Sequence, residues 1–189
     1  MTTLTEPALM TTEQLEAFPQ NDGIDRELIN GQLRERPLTW GNRRHSRTQS
    51  RFARHLENWR DAQPNAGGEV LSGEAGFRLR RNPDTTVGID VAYISSETAA
   101  ANEDGVGLID GVPVLVIEIL SPSDSQEDVL EKVQTYLDCG VPLVWIAEPV
   151  FRTVTVYRPG TEPELFNAPQ FLDGGSHLPG LRMKVADCF

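Results

Sequence analysis

Two acidic residues of this chain lie where a folded protein least tolerates an unpaired charge. Glu118 interrupts V-P-V-L-V-I-E-I-L, Val112 to Leu120, a run short and β-branched enough to read as a buried strand rather than a helix. In the extended piece Val87 to Ser95, Ile89, Val91 and Tyr93 alternate with Asp90, Ala92 and Ile94, so Asp90 shares its face with apolar residues. An ionised carboxylate in such a place is costly unless it is paired or bound to a metal. A cation is within reach. Asp128, Lys132 and Tyr136 follow one another at i, i+4, i+8 and share a helical face at the edge of an apolar stripe, so Lys132 can lean toward the sheet. Hard oxygen ligands suit Mg2+ or Mn2+, which takes one or two carboxylates and fills its other positions with water and substrate phosphate. Such an ion lowers the pKa of water and neutralises charge on a phosphodiester, and a lysine ammonium stabilises the charge that develops there. No Cys/His cluster offers a zinc site and no Gly-rich loop a nucleotide site, so no nucleotide cofactor is expected; Ser121 lies in S-P-S, not in a nucleophile elbow.

The elements that must position these groups are legible. Pro122 stops the Glu118 strand, Ser125 with Asp128 opens a helix, and Gly140 sits where a glycine ends one. Val129, Val133, Tyr136 and Leu137 form that helix's apolar stripe, and Pro142 to Glu148 reads as a second buried strand, giving strand, helix, strand. Upstream, Thr11 with Gln14 starts a two-turn helix that Pro19 stops. Asn30-Gly31 is a type I′ turn between Glu27-Leu28-Ile29 and Gln32-Leu33-Arg34. Asn42 to Gln63 is the longest helical pattern, with Thr48, Phe52, Leu56 and Trp59 on its buried face. Gly68 to Leu71, Gly76 to Arg80 and Val87 to Ser95 read as three extended pieces, Glu97 to Gly107 as a polar loop or short helix, and Thr153 to Tyr157 as a strand. Leu178 to Val185 reads as a short edge piece. The expected organisation is a flexible tail over 1–10 and a single domain over 11–189.

Three features admit two readings each. Arg43, Arg47, Arg51 and Arg54 lie together on the long helix, either as a solvated face or as contacts to nucleic-acid phosphates. His45, on the buried face seven residues before Phe52, is a core histidine or a site residue. Glu27 is a solvent-facing strand residue or a further site carboxylate.

Composition narrows the class. With 189 residues, 39% of them hydrophobic, the chain can form one sizeable core. Its formal net charge of -11 and pI near 4.7 argue against a generic nucleic-acid binder or a protein adhering to anionic membranes. Cys139 and Cys188 make no disulfide framework and fit a reducing cytoplasm. No apolar run is long enough to span a bilayer, and no signal-peptide pattern opens the chain, so the expected location is cytoplasmic and no membrane partner is expected.

The pattern V-L-V-I-E-I-L-S-P-S-x4-D-x3-K-x3-Y-x3-G-V-P-x-x-W-I-x-x-P resembles the signature of the Uma-type restriction endonucleases, a family of the PD-(D/E)XK, restriction-endonuclease-like superfamily. The resemblance extends to M-T-T-E-Q-L-E-A-F-P, R-E-L-I-N-G-Q-L, G-I-D-V-A-Y-I-S and L-P-G-L-R-M-K-V, nearly the whole chain. It implies an α/β fold with a restriction-endonuclease-like core: a mixed β-sheet flanked by helices, here preceded by an N-terminal helix and β-hairpin. It also implies Asp90 as the first acidic residue and Glu118 as the second. The superfamily's lysine two positions after the second acid is replaced by Leu120, and the resemblance moves its role to Lys132, in agreement with the helical-face reading. Glu27 matches the glutamate of E-L-I-x-G, and His45 a histidine of the long helix. Two positions depart from the family. Ile89 stands where proline precedes the first acid, and the literal Pro83-Asp84 pair lies in a polar turn, where its carboxylate is expected to point to water. Glu148 replaces an aspartate, with no catalytic consequence expected.

Together these readings point to Mg2+- or Mn2+-dependent hydrolysis of double-stranded DNA, with Asp90 and Glu118 as metal ligands, Lys132 positioning the attacking water, and Glu27 and His45 in support. A homodimer is expected, since cutting both strands gains from two-fold symmetry. Two alternatives stay open: a catalytically silent DNA-binding or protein-interaction module, and a phosphoesterase acting on RNA or a small phosphate ester.

Overall fold

The Asn30-Gly31 turn closes the hairpin that the sequence predicts. Both residues have positive φ, 53° and 74°, as a type I′ turn requires, and register follows, with Glu27 opposite Arg34. The structure is a computed structural model that describes residues 9–19, 22–38, 42–63, 67–103, 105 and 107–189. In chain order the elements are α1 (Thr12–Glu16), β1 (Ile24–Ile29), β2 (Gln32–Pro37), α2 (Arg43–Asp61), β3 (Glu69–Arg80), β4 (Thr85–Ile94), α3 (Ser96–Ala101), β5 (Ile109–Asp110), β6 (Leu115–Ile119), α4 (Gln126–Asp138), β7 (Val144–Glu148), β8 (Thr153–Tyr157), β9 (Glu164–Phe166), β10 (Phe171–Gly174) and β11 (Leu178–Lys184), followed by a short 3-10 turn, Val185–Cys188. Most of the expected flexible tail lies outside the described residues; Met10, within them, donates its N–H to the Gly31 carbonyl at 2.7 Å.

The caps predicted at Thr11, Ser125 and Gly140 are present, and Asn42 adds one that the sequence reading did not single out. Thr11 and Gln14 bond reciprocally at the start of α1. The Asn42 side chain accepts from two N–H groups at the start of α2, and Ser125 accepts from the Asp128 N–H at the start of α4. Gly140, at φ 93°, follows the last turn of α4.

Among the described residues the main sheet runs β2-β1-β4-β6-β7-β8-β9, with β3 against β4 and β5. It is mixed: β6 and β7 are parallel, as a strand-helix-strand crossover through α4 requires, and β3 pairs β5 in parallel. Helices cover both faces. Phe52 and Leu56 of α2 pack with Val91, Leu115, Ile117 and Trp145 on one side, and Val133 and Tyr136 of α4 with Ala92, Val116, Val144 and Ile146 on the other. β10 and β11 form a separate antiparallel pair whose Leu172, Leu181 and Met183 extend the α2-side core.

One irregularity governs the site. β3 occupies one edge of β4 from end to end, so β1 and β6 share the other. β1 pairs it at Thr86 and β6 from Val91 to Tyr93. Between them, residues 87–90 of β4 have no strand on this edge, and the sheet forks. Across from the fork β3 carries a bulge between Ser72 and Ala75, where Gly73 and Glu74 have positive φ, and such a bulge sharpens the local twist.

Three expectations need correction. Gly68 to Leu71 and Gly76 to Arg80 are not separate strands but one strand, β3, continuous through that bulge. The strict alternation along β4 also fails: Ile89 and Val91, two apart, pack into different cores, because the twist at the fork turns the strand between them. Asp84 does not point to water. It is 7% exposed and accepts from the Thr12 N–H and hydroxyl at 2.8 and 2.7 Å, so the turn is used to pin α1 to the sheet.

Candidate active site

The fork leaves backbone groups of β4 without ladder partners, and buried N–H and C=O groups must be satisfied somewhere. Side chains do it. The Gly88 N–H donates to Glu27 Oε1 at 3.3 Å and the Gly88 carbonyl faces Lys132 Nζ at 3.4 Å. Gln49 Nε2 donates to the Asp90 carbonyl at 2.8 Å. The Ile119 N–H, which would continue the β6 ladder, donates instead to Asp90 Oδ2 at 2.8 Å. Continuing the β4–β6 register by one pair places Asp90 opposite Glu118. The two carboxylates therefore stand side by side where the sheet opens.

Five residues singled out from sequence converge here. Glu27, His45, Asp90, Glu118 and Lys132 all line one cleft of about 940 Å3. Lys132 Nζ lies 3.2 Å from Glu118 Oε1 and 3.4 Å from Glu27 Oε1, so the lysine does lean from α4 onto the sheet. His45 Nε2 lies 3.2 Å from Asp90 Oδ2, and the ring lines the cleft instead of packing into either core. Glu27 is 4% exposed and takes Arg36 Nη2 at 2.7 Å, which removes its solvent-facing reading. The fork brings both helical layers together: α2 contributes His45 and Gln49, α4 contributes Lys132 and Tyr136.

Burial and charge set the protonation states. Burial pushes the Glu118 carboxyl up to about 7 against the pull of the Lys132 ammonium. Burial alone would lower Lys132, but the Glu118 charge, helped by Tyr136 and Glu27, holds its ammonium well above the usual lysine range. Tyr136 is raised well above the ordinary phenol by burial and by Glu118, so it stays protonated and donates to Glu118 Oε1. The hydrogen bond to Asp90 raises His45 above the ordinary imidazole.

For a divalent cation the donor set is small. Among the described residues no group of three or more His, Cys, Asp or Glu side chains is arranged to hold a metal. The hydrogen bonds described above use Oδ2 of Asp90 and Oε1 of Glu118, and none among the described residues uses Oδ1 or Oε2. Two such carboxylate oxygens at a roomy cleft fit an ion that completes its shell with water and phosphate.

Sequence reading missed four contributors. Tyr136 reads from sequence as part of the apolar stripe and of the Asp128-Lys132-Tyr136 face, but neither pattern shows that its hydroxyl donates to Glu118. Gln49 is one turn beyond His45 on α2, a spacing that could have revealed it. Arg36 follows from the hairpin register, two positions beyond the residue opposite Glu27. Glu74, in the β3 bulge, also lines the cleft, and no local pattern marks a bulge of this kind. Arg43, Arg47, Arg51 and Arg54 do not line this cleft. Glu148 is likewise elsewhere, accepting the Val150 N–H at the end of β7.

The profile of the Uma2 family, described as "Putative restriction endonuclease", matches residues 12–186. No curated protein matches the chain. Among solved structures, one described as a "putative nuclease belonging to DUF820" from Anabaena variabilis superposes with a TM-score of 0.77. It is 24% identical, over 97% of this chain and 98% of that one, a likeness that shows the mixed sheet flanked by helices and nothing finer. With the family profile spanning almost the whole sequence, this chain belongs to the Uma2 family.

Proposed function

We propose that this protein is an Mg2+- or Mn2+-dependent endonuclease that hydrolyses phosphodiester bonds of double-stranded DNA. The observation that carries the reading is the pairing of Asp90 and Glu118 at the fork, each with an oxygen left over, beside a lysine held charged. The family's description, restriction endonuclease, supports it. Asp90 and Glu118 would hold the metal, which when bound supplies Lewis-acid charge against the phosphodiester and a lowered pKa for water. Lys132 cannot be the general base at neutral pH, because it holds its proton too tightly. Its ammonium orients the attacking water and stabilises the negative charge that builds on the phosphoryl oxygens. Glu27 fixes that ammonium and Tyr136 the Glu118 carboxylate, and His45 holds Asp90 through Oδ2, so each acts by positioning. Two free cysteines, one half-buried and one buried, suit the cytoplasm we assign it, and no helix among the described residues is long and apolar enough to cross a membrane. A two-fold dimer would let two such clefts address both strands.

The test is metal binding, which needs no guess at the substrate. Mn2+ is titrated by calorimetry into wild type, Asp90→Ala and Glu118→Ala, with plasmid nicking followed in parallel. Binding and nicking by the wild type alone support the reading. A second reading, a silent DNA-binding or protein-interaction module, draws on the absence of a three-ligand cluster among the described residues; identical behaviour of all three proteins would establish it. Metal binding without nicking of DNA, but with cleavage of RNA or a small phosphate ester, would move the substrate and leave the site.

A further inference from the structure

Outside the cleft, the arginines of α2 form a site of their own. Arg47, Arg51 and Arg54 line a second hollow of about 350 Å3 together with His55 and with Arg152 from the turn between β7 and β8. It shares no residue with the catalytic cleft. Most arginines elsewhere in this acidic chain are neutralised: Arg26, Arg34, Arg36, Arg60, Arg78, Arg81 and Arg158 each face a carboxylate. The hollow differs. Arg152 donates to the backbone carbonyl of Ala186, a contact that places it without cancelling its charge, whereas Arg51 meets the terminal carboxylate of Phe189, which offsets part of the hollow's charge. Arg47 and Arg54 are exposed and have no ion-pair or hydrogen-bond partner among the described residues. The one acidic residue of the lining, Asp187, meets His55 through its backbone carbonyl.

We propose that this hollow is a second nucleic-acid contact that grips duplex DNA by its phosphates, away from the scissile bond. On an ideal helix Arg43, Arg47, Arg51 and Arg54 keep within about 80° of one another, and His45 faces the other way. The same helix thus delivers His45 to the cleft and the arginines to the opposite surface. From Arg43 to Arg54 the stripe runs about 16 Å, roughly five base-pair rises of a duplex. Guanidinium groups at that spacing match a repeating row of phosphates better than a single small anion. The net charge of -11 makes such a local patch necessary, since the molecule as a whole repels DNA.

This inference takes its partner from the nuclease reading, but its test does not require cleavage. Binding of a short fluorescein-labelled duplex is followed by anisotropy in EDTA over a series of KCl concentrations. The proteins are wild type, Arg47→Gln/Arg54→Gln, Arg152→Gln and Asp90→Ala, each checked for an unchanged melting temperature. The expected result is binding at least tenfold weaker in the double variant, with a salt slope lower by about two, a smaller loss in Arg152→Gln, and no loss in Asp90→Ala, where removing a carboxylate in EDTA can only ease the approach of phosphates. Wild-type affinity and slope in the double variant would overturn the proposal, as would no binding by the wild type at low salt. If the arginine variants lose binding while Asp90→Ala still nicks plasmid, the hollow stands and the catalytic assignment falls.

Discussion

Glu118 is the residue on which the most physics converges. Its carboxyl, raised to about 7 in the folded protein against 4.5 as its ordinary value, binds a proton more tightly folded than unfolded. In the metal-free protein its contribution to stability is therefore full below about pH 4.5 and is lost as pH rises through about 7. The slope is at most about 1.4 kcal/mol per pH unit. Urea unfolding in EDTA should show this component in the wild type and not in Glu118→Gln; equal slopes would place the Glu118 titration elsewhere. Lys132→Met removes the cation that faces Glu118 and Glu27, and should cut nicking on the order of a hundredfold or more. Mn2+ binding should survive in that variant at alkaline pH, where Glu118 is ionised without the lysine's help, and calorimetry will decide. Asp84 gives the contrast. Asp84→Ala strands the Thr12 N–H and hydroxyl and should cost about 1–3 kcal/mol while leaving the nicking rate of folded protein unchanged, because that carboxylate pins α1 and does not line the cleft that holds Asp90 and Glu118.

At the scale of elements, the β1–β2 hairpin is what presents Glu27. Its register depends on Asn30-Gly31, and Gly31 is doubly constrained: φ is 74°, and a Cβ there would lie 2.9 Å from Cβ of Leu9. Gly31→Val should destabilise the fold by about 1–3 kcal/mol, seen as a lower melting temperature. If the hairpin register also slips, Glu27 leaves Lys132 and nicking falls further than stability explains. The fork depends on the same logic in three dimensions. β1 and β6 compete for one edge of β4, neither fills it, and the exposed backbone is closed by the side chains that form the site. α2 and α4 reach the fork from opposite layers, each aimed by a capped first turn.

For the molecule as a whole, both cores close through apolar side chains. EDTA should therefore abolish nicking and leave cooperative unfolding intact, as circular dichroism during thermal melting can report. Mn2+ at about a hundred times its dissociation constant should add about 2.7 kcal/mol to wild type and nothing to Asp90→Ala. Collapse of the fold in EDTA would show instead that the metal is structural.

The sequence by itself determined the local conformations and the candidate chemistry. Caps, the Asn-Gly turn and apolar periodicity act over a few residues, so they set α1, the hairpin, α2, α4 and the parallel pair around α4 without reference to the rest of the chain. The cost of burying a carboxylate likewise marked Asp90 and Glu118 before any neighbour was known. What only the tertiary structure decided is who meets whom. The bulge at Gly73-Glu74 joins what sequence divides into two strands, because a glycine there reads equally as a break, and only the continuous pairing with β4 makes it a bulge. The same dependence on distant partners hid the burial of Asp84, whose partner is 72 residues away. It also hid the Tyr136 bond to Glu118, and the separation of the arginine stripe from the cleft. Hydrophobic period places a side chain on a face; only the packing of one layer on another says what waits on the other side.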